Sequence, residues 1–228
     1  MKKVWNIISY PVLAVLIVLA ALEFIPAVKV FFTHLNVYKW LLIGVGVFLI
    51  LCYVVRPLVR GRNSSTGDRD FFNIDWLSTF THELSHTIAG MLMLHNIHNF
   101  RASIREGEMQ HSGKYGSTFI TLAPYTLLIY TFPVLLFRLM GQNAFIYIVD
   151  FLVGLTLAFH IRCFCTQTGF YQPDLKKVGL VKSAMYISFW HLFNASLIIL
   201  SIRKGVWGAI GYLFTNYWHD LLKLIPGV

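Results

Sequence analysis

Residues His82-Glu83-Leu84-Ser85-His86 place two imidazoles four residues apart, with a carboxylate between them. On a helix, positions i and i+4 lie one turn apart on the same face, so both rings can bind one ion. Zinc suits this donor pattern, and Glu83 points beside the metal, where a carboxylate can take a proton from a water that the metal activates. The pentad lies inside a long apolar run, Phe71 to Leu94. A divalent cation and an ionised glutamate are costly at bilayer depth, so groups of this kind in such a run point to function. At about 1.5 Å of rise per residue, His82 falls on the order of 15 Å along the helix from Phe72. Hydrolysis at that depth requires a water-accessible cavity.

Tetrahedral zinc needs a third protein ligand and leaves the fourth position to water. A histidine six residues beyond His86 would fall at Leu92, so that pattern is absent. Glu106 and Glu108 sit in a glycine-bordered hairpin rather than on a second helix. The remaining candidates are Asp150, His160, Asp174 and His191. Asp174 follows a proline in Tyr171-Gln172-Pro173-Asp174-Leu175, a turn entering the sixth helix, from which a carboxylate can point back at the metal. The same position suits an ordinary helix cap. Asp150 also suits a first-turn acid, and His95 and His98 suit the C-terminal end of the metal-binding helix. His160, and His191 with Asn194, also suit hydrogen bonds between helices.

The elements that must hold these residues are apolar. Of the 228 residues, 57% are hydrophobic and 13% charged, with mean hydropathy +0.64. This is membrane composition rather than that of a soluble core. The formal charge of +9 is spread over short loops, where Lys and Arg orient a membrane protein and meet anionic lipid heads, and it does not suggest nucleic acid. Cys52, Cys163 and Cys165 form no C-x-x-C pair and read as buried, reduced thiols. Lys2 and Lys3 precede the run Val12–Leu22 with no small-x-small cleavage site after it, so an uncleaved first membrane helix is expected.

Runs of about 20 residues, enough to cross a hydrocarbon core, fall near 5–25, 37–55, 71–94, 118–140, 144–165 and 183–202. A last segment, about 206–224, reads as a helix lying in the interface or as a seventh span. The fold class expected is an all-α polytopic membrane protein of six to seven helices, with a short β-hairpin after the metal-binding helix. Residues 1–228 read as one membrane-embedded domain. In the connection His95–Ser117, Phe100, Ala102 and Ile104 alternate with polar residues, Gly107 marks the turn and Met109 begins the return. The connection Arg56–Asp70 carries four arginines and is the strongest candidate for a cytoplasmic loop, with Asp70 capping the next helix. Six alternating crossings then put Lys176, Lys177 and Lys182 outside, against the positive-inside rule. Either that connection dips back or one segment is not a full crossing.

With these residues in place, the chain resembles the site-2 protease family of intramembrane zinc metalloproteases, on its compact bacterial side. The resemblance rests on His82-Glu83-Leu84-Ser85-His86, the polar hairpin, Leu122-Ala123-Pro124-Tyr125 opening the next span, and a later isolated Asp174. It covers roughly residues 71–200, leaving residues 1–70 and 201–228 outside it. It implies two zinc histidines, His82 and His86, a glutamate base at Glu83 and an aspartate third ligand, which falls on Asp174. It also implies cleavage of membrane proteins or peptides, in a bacterial cytoplasmic membrane. The sequence departs from the family in having Ser85 where glycine is common, and in lacking the leucine-aspartate-glycine triplet of classical members.

The hairpin around Asn99–Ser112 offers an edge strand to an unwound substrate. Pro124 and Pro133 would interrupt the fourth span. Three rival readings are a haem-binding bundle, a proton- or ion-conducting bundle, and an inactive protease homologue acting as an adaptor. Haem takes one histidine from each of two facing helices and gives Glu83 no role.

Overall fold

The computed structural model describes residues 2–55, 74–102, 107–111, 117–140 and 145–223. The expected cap Asp70, the basic loop and Glu106 lie outside them. The chain is mostly helical: α1 (Lys2–Thr33), a short 3-10 turn (Leu35–Tyr38), α2 (Lys39–Ile50), α3 (Ile74–Leu92), strands β1 (Ile97–Ala102) and β2 (Gly107–His111), α4 (Thr118–Thr126), α5 (Thr131–Leu136), α6 (Ile146–Gln167), α7 (Pro173–Val178), α8 (Leu180–Lys204) and α9 (Val206–Lys223). Among the described residues, four stretches are long and apolar enough to cross a membrane: Ile8–Thr33, Leu35–Val54, Ile146–Gln167 and Leu180–Lys204. This is compatible with a multi-pass membrane protein.

Several expected boundaries move, for physical reasons. The first helix runs on through Pro26 to Thr33 rather than ending near residue 25. α3 is not among the apolar candidates, because its inner face carries Ser78, Thr81, His82, Glu83, Ser85 and His86. The expected span 118–140 is broken into α4 and α5; joined, they would make a fifth candidate. Leu127 is extended (φ −91°, ψ 113°), and the helix restarts with Pro133 in its first turn, where a missing N–H costs nothing. Gly107 is not at the turn but opens β2, paired with Ala102. His98 lies on β1 at the register shift between Ile97 and Asn99 rather than on the helix end.

Two compact units emerge. The first holds 1–46, 130–158 and 181–228; the second holds 47–129 and 159–180. In the first, Gly44 of α2 and Gly154 of α6 bring two backbones together: a Cβ on Gly44 would strike the Phe151 carbonyl, and one on Gly154 the Leu41 carbonyl. Ala27, Leu197, Leu200, Ala209 and Leu213 form a buried cluster from α1, α8 and α9. Two buried carboxylates of this unit, Asp150 and Glu23, are paired inside it. Arg138 donates from Nε to Asp150 Oδ1 at 2.7 Å and from Nη2 to Oδ2 at 3.1 Å, and its Nη1 reaches the Ser201 carbonyl. Asn216 Nδ2 donates to Glu23 Oε2 at 3.0 Å. α9 buries Val206, Ala209 and Leu213 and turns Trp207, Phe214 and Trp218 outward.

In the second unit, α3 packs on the β pair and on α4. Phe80 meets Phe100 edge-on, and Ala89 packs with Ile120 and Ala123. β1 lies close against α3 at Gly90, where a Cβ would meet Ile97 Cδ1 at 3.0 Å. α3 ends in a reversal in which His95 N–H bonds the Gly90 carbonyl and Leu94 N–H that of Met91. Leu94 supplies the left-handed residue such a cap needs, at φ 58°. Cys52 and Cys163 are buried and Cys165 is exposed, all unbridged.

Candidate metal centre

α3 carries His82 and His86 one turn apart, their ring centroids 5.0 Å apart. Three of its hydroxyls are bonded within the helix: Thr81 Oγ1 donates to the Leu77 carbonyl, Ser85 Oγ to Thr81 and Thr87 Oγ1 to Glu83. Ser85 therefore sits fully buried beside the histidines with its polar atom bonded, which accounts for serine where a glycine would also fit. Glu83 is buried on the same helix.

Asp174 is the second residue of α7, behind Pro173, and Gln172 holds the cap position. The Asp174 carboxylate turns to the histidines instead: its Oδ2 lies 3.3 Å from His82 Nε2 and 3.3 Å from His86 Nε2. α7 is its own short helix, closed by Gly179 at φ 100°, and not the start of the long helix that follows. One ligand atom from each of His82, His86 and Asp174 lies within 4.8 Å of the others.

The far nitrogen of each histidine is engaged. His86 Nδ1 lies 2.8 Å from the Ile120 carbonyl. That carbonyl is available because its helical partner would be the N–H of residue 124, which is Pro124 and has none. His82 Nδ1 faces Gln167 Oε1 at 3.4 Å, and the ring of buried Tyr125 packs edge-on against His82, centroids 5.6 Å apart. A neutral imidazole has one N–H. If it lies on Nδ1, facing the oxygen there, each Nε2 has a lone pair for a cation, and the three ligand atoms could then hold one ion. At metal–ligand distances of about 2.0–2.1 Å, adjacent corners of a tetrahedron lie about 3.3 Å apart, the spacing of both Asp174 contacts.

The other sequence candidates do not join the group. Asp150 is committed to Arg138, His160 is buried on α6 outside the convergence, and His191 lies on α8. Glu108 lies on β2. Sequence reasoning missed Gln167 and the Ile120 carbonyl. Pro124 was the available signal for the second, and a polar residue ending an apolar helix the only one for the first. No protein-family model, curated protein or solved structure matches the chain.

Proposed function

We propose that this chain is an intramembrane zinc metallopeptidase, hydrolysing peptide bonds of membrane proteins or membrane-associated peptides in a bacterial cytoplasmic membrane. The observation that carries the reading is the convergence, within 4.8 Å of one another, of one ligand atom each from His82, His86 and Asp174, with Glu83 between the two histidines on the same helix. His82, His86 and Asp174 would hold the ion and leave one tetrahedral position open. When bound, zinc supplies a Lewis acid that acidifies a water and polarises the scissile carbonyl.

Glu83 is the general base. It accepts the proton of the attacking water and delivers it to the leaving nitrogen as the C–N bond breaks, giving a carboxylic acid and an amine. Burial keeps Glu83 away from bulk water, and its place on α3 beside His82 puts it within the same turn as the ligands.

The topology follows the same reading. If either α3 or the α4–α5 pair does not cross, Lys176, Lys177 and Lys182 fall on the same side as the arginines of 56–69, as the positive-inside rule requires. Asp174 then lies toward the cytoplasm.

The test uses the detergent-purified full chain and a fluorogenic apolar peptide. Glu83→Gln is expected to lose cleavage by about 10²–10⁴-fold while keeping its zinc. Cleavage by Glu83→Gln at the wild-type rate would overturn the mechanism.

A further inference from the structure

The two histidines are oriented by acceptors of different origin. His86 Nδ1 faces a main-chain carbonyl, Ile120, which no side-chain substitution at that position removes. His82 Nδ1 faces a side chain, Gln167. Gln167 is the last residue of α6, and residues 168–172 join it to α7, which carries Asp174. His82 is thus addressed at both nitrogens from one connection, with Gln167 Oε1 3.4 Å from Nδ1 and Asp174 Oδ2 3.3 Å from Nε2. Tyr125 packs edge-on against the ring and limits its rotation.

Resting on the metal reading of this site, we infer that Gln167 is a positioning residue for His82, fixing the tautomer that turns the Nε2 lone pair inward. A metal-bound histidine gives its other N–H to an oxygen, which sets the ring's orientation and raises its basicity. Without the amide oxygen at 167, the favourable arrangement reverses. His82 then carries its proton on Nε2 and donates it straight to Asp174, pairing two ligands with each other and closing the position the ion must take. A carboxylate at 167 would accept the Nδ1 proton more strongly than the amide and keep the site open.

The experiment measures zinc affinity of the full chain in detergent by competition with a chromophoric chelator, for wild type, Gln167→Leu and Gln167→Glu. His86→Ala sets the baseline, and thermal melting without metal reports the fold. Gln167→Leu is expected to bind zinc about 10–100-fold more weakly, and Gln167→Glu to bind within about threefold of wild type or more tightly, with melting unchanged. Equal affinity of Gln167→Leu and wild type would overturn the inference, as would a folded Gln167→Glu as weak as Gln167→Leu. If Gln167→Leu does not fold, wild-type affinity in Gln167→Glu supports the role and its loss in a folded protein refutes it. A wild type that binds no zinc would remove the metal reading itself, whereas equal affinities remove only the role of Gln167.

Discussion

Asp150 and Asp174 are both aspartates held among helices, and their surroundings are opposite in kind. In the first unit, Asp150 receives two N–H groups from one guanidinium, in the geometry that matches a carboxylate best. Glu23 likewise receives an amide N–H from Asn216. In the second unit, Asp174 faces two imidazole Nε2 atoms, and the other nitrogen of each ring lies near an oxygen. In one region the carboxylates are closed by guanidinium and amide donors; in the other a carboxylate meets two ring nitrogens able to hold a proton or a metal ion. Leaving a buried polar group unpaired costs about 1–3 kcal/mol, and more for a charge. Under the proposed reading, a buried carboxylate completed by protein donors is architecture, while one set against two ring nitrogens able to ligate is a place for a cation.

Substitutions can break this contrast on either side. The largest effect is expected at Asp150→Ala, which strands the Arg138 guanidinium inside the first unit. Loss of one partner from a buried pair costs about 3–5 kcal/mol, read as a fall in melting temperature, with zinc per folded chain unchanged. Gly154→Ala drives a methyl into the Leu41 carbonyl and is expected to cost about 1–3 kcal/mol by the same readout. On the other side, Pro124→Ala restores an N–H that competes with His86 for the Ile120 carbonyl. Because that oxygen keeps a second lone pair, zinc affinity is expected to fall only about three- to tenfold, measured by chelator competition. The smallest effect is expected at Leu94→Asn, which relieves a left-handed leucine at the end of α3 and should stabilise the chain by up to about 1 kcal/mol, leaving zinc binding unchanged.

The parts legible in sequence are those whose signal is local. His82 and His86 were readable because four residues make one helical turn. The long apolar stretches of α1, α6 and α8 were readable from hydropathy. Asp174 is one of four candidates on its residue type, and the turn at Pro173 suits a ligand and a helix cap equally; only the resemblance to a known family favours it. What the sequence did not yield depends on partners distant in the chain. Asp150 and Arg138 pair across a turn, and neither residue announces the other. Gln167 reads as the polar end of a helix until His82 is placed beside it. α3 reads as a span because it lies in the run Phe71 to Leu94, yet its polar residues, Ser78, Thr81, His82, Glu83, Ser85 and His86 among them, keep it out of the helices apolar enough to cross. The break between α4 and α5 was half-legible: two prolines announced an interruption, and the extended backbone at Leu127 located it.

Zinc content of folded, detergent-purified protein, measured by elemental analysis of wild type, His160→Ala and Asp174→Ala, tests the central claim most directly. Stoichiometric zinc is expected in wild type and in His160→Ala, and its loss in Asp174→Ala. Zinc retained by Asp174→Ala, or none in folded wild type after zinc is supplied, would contradict it.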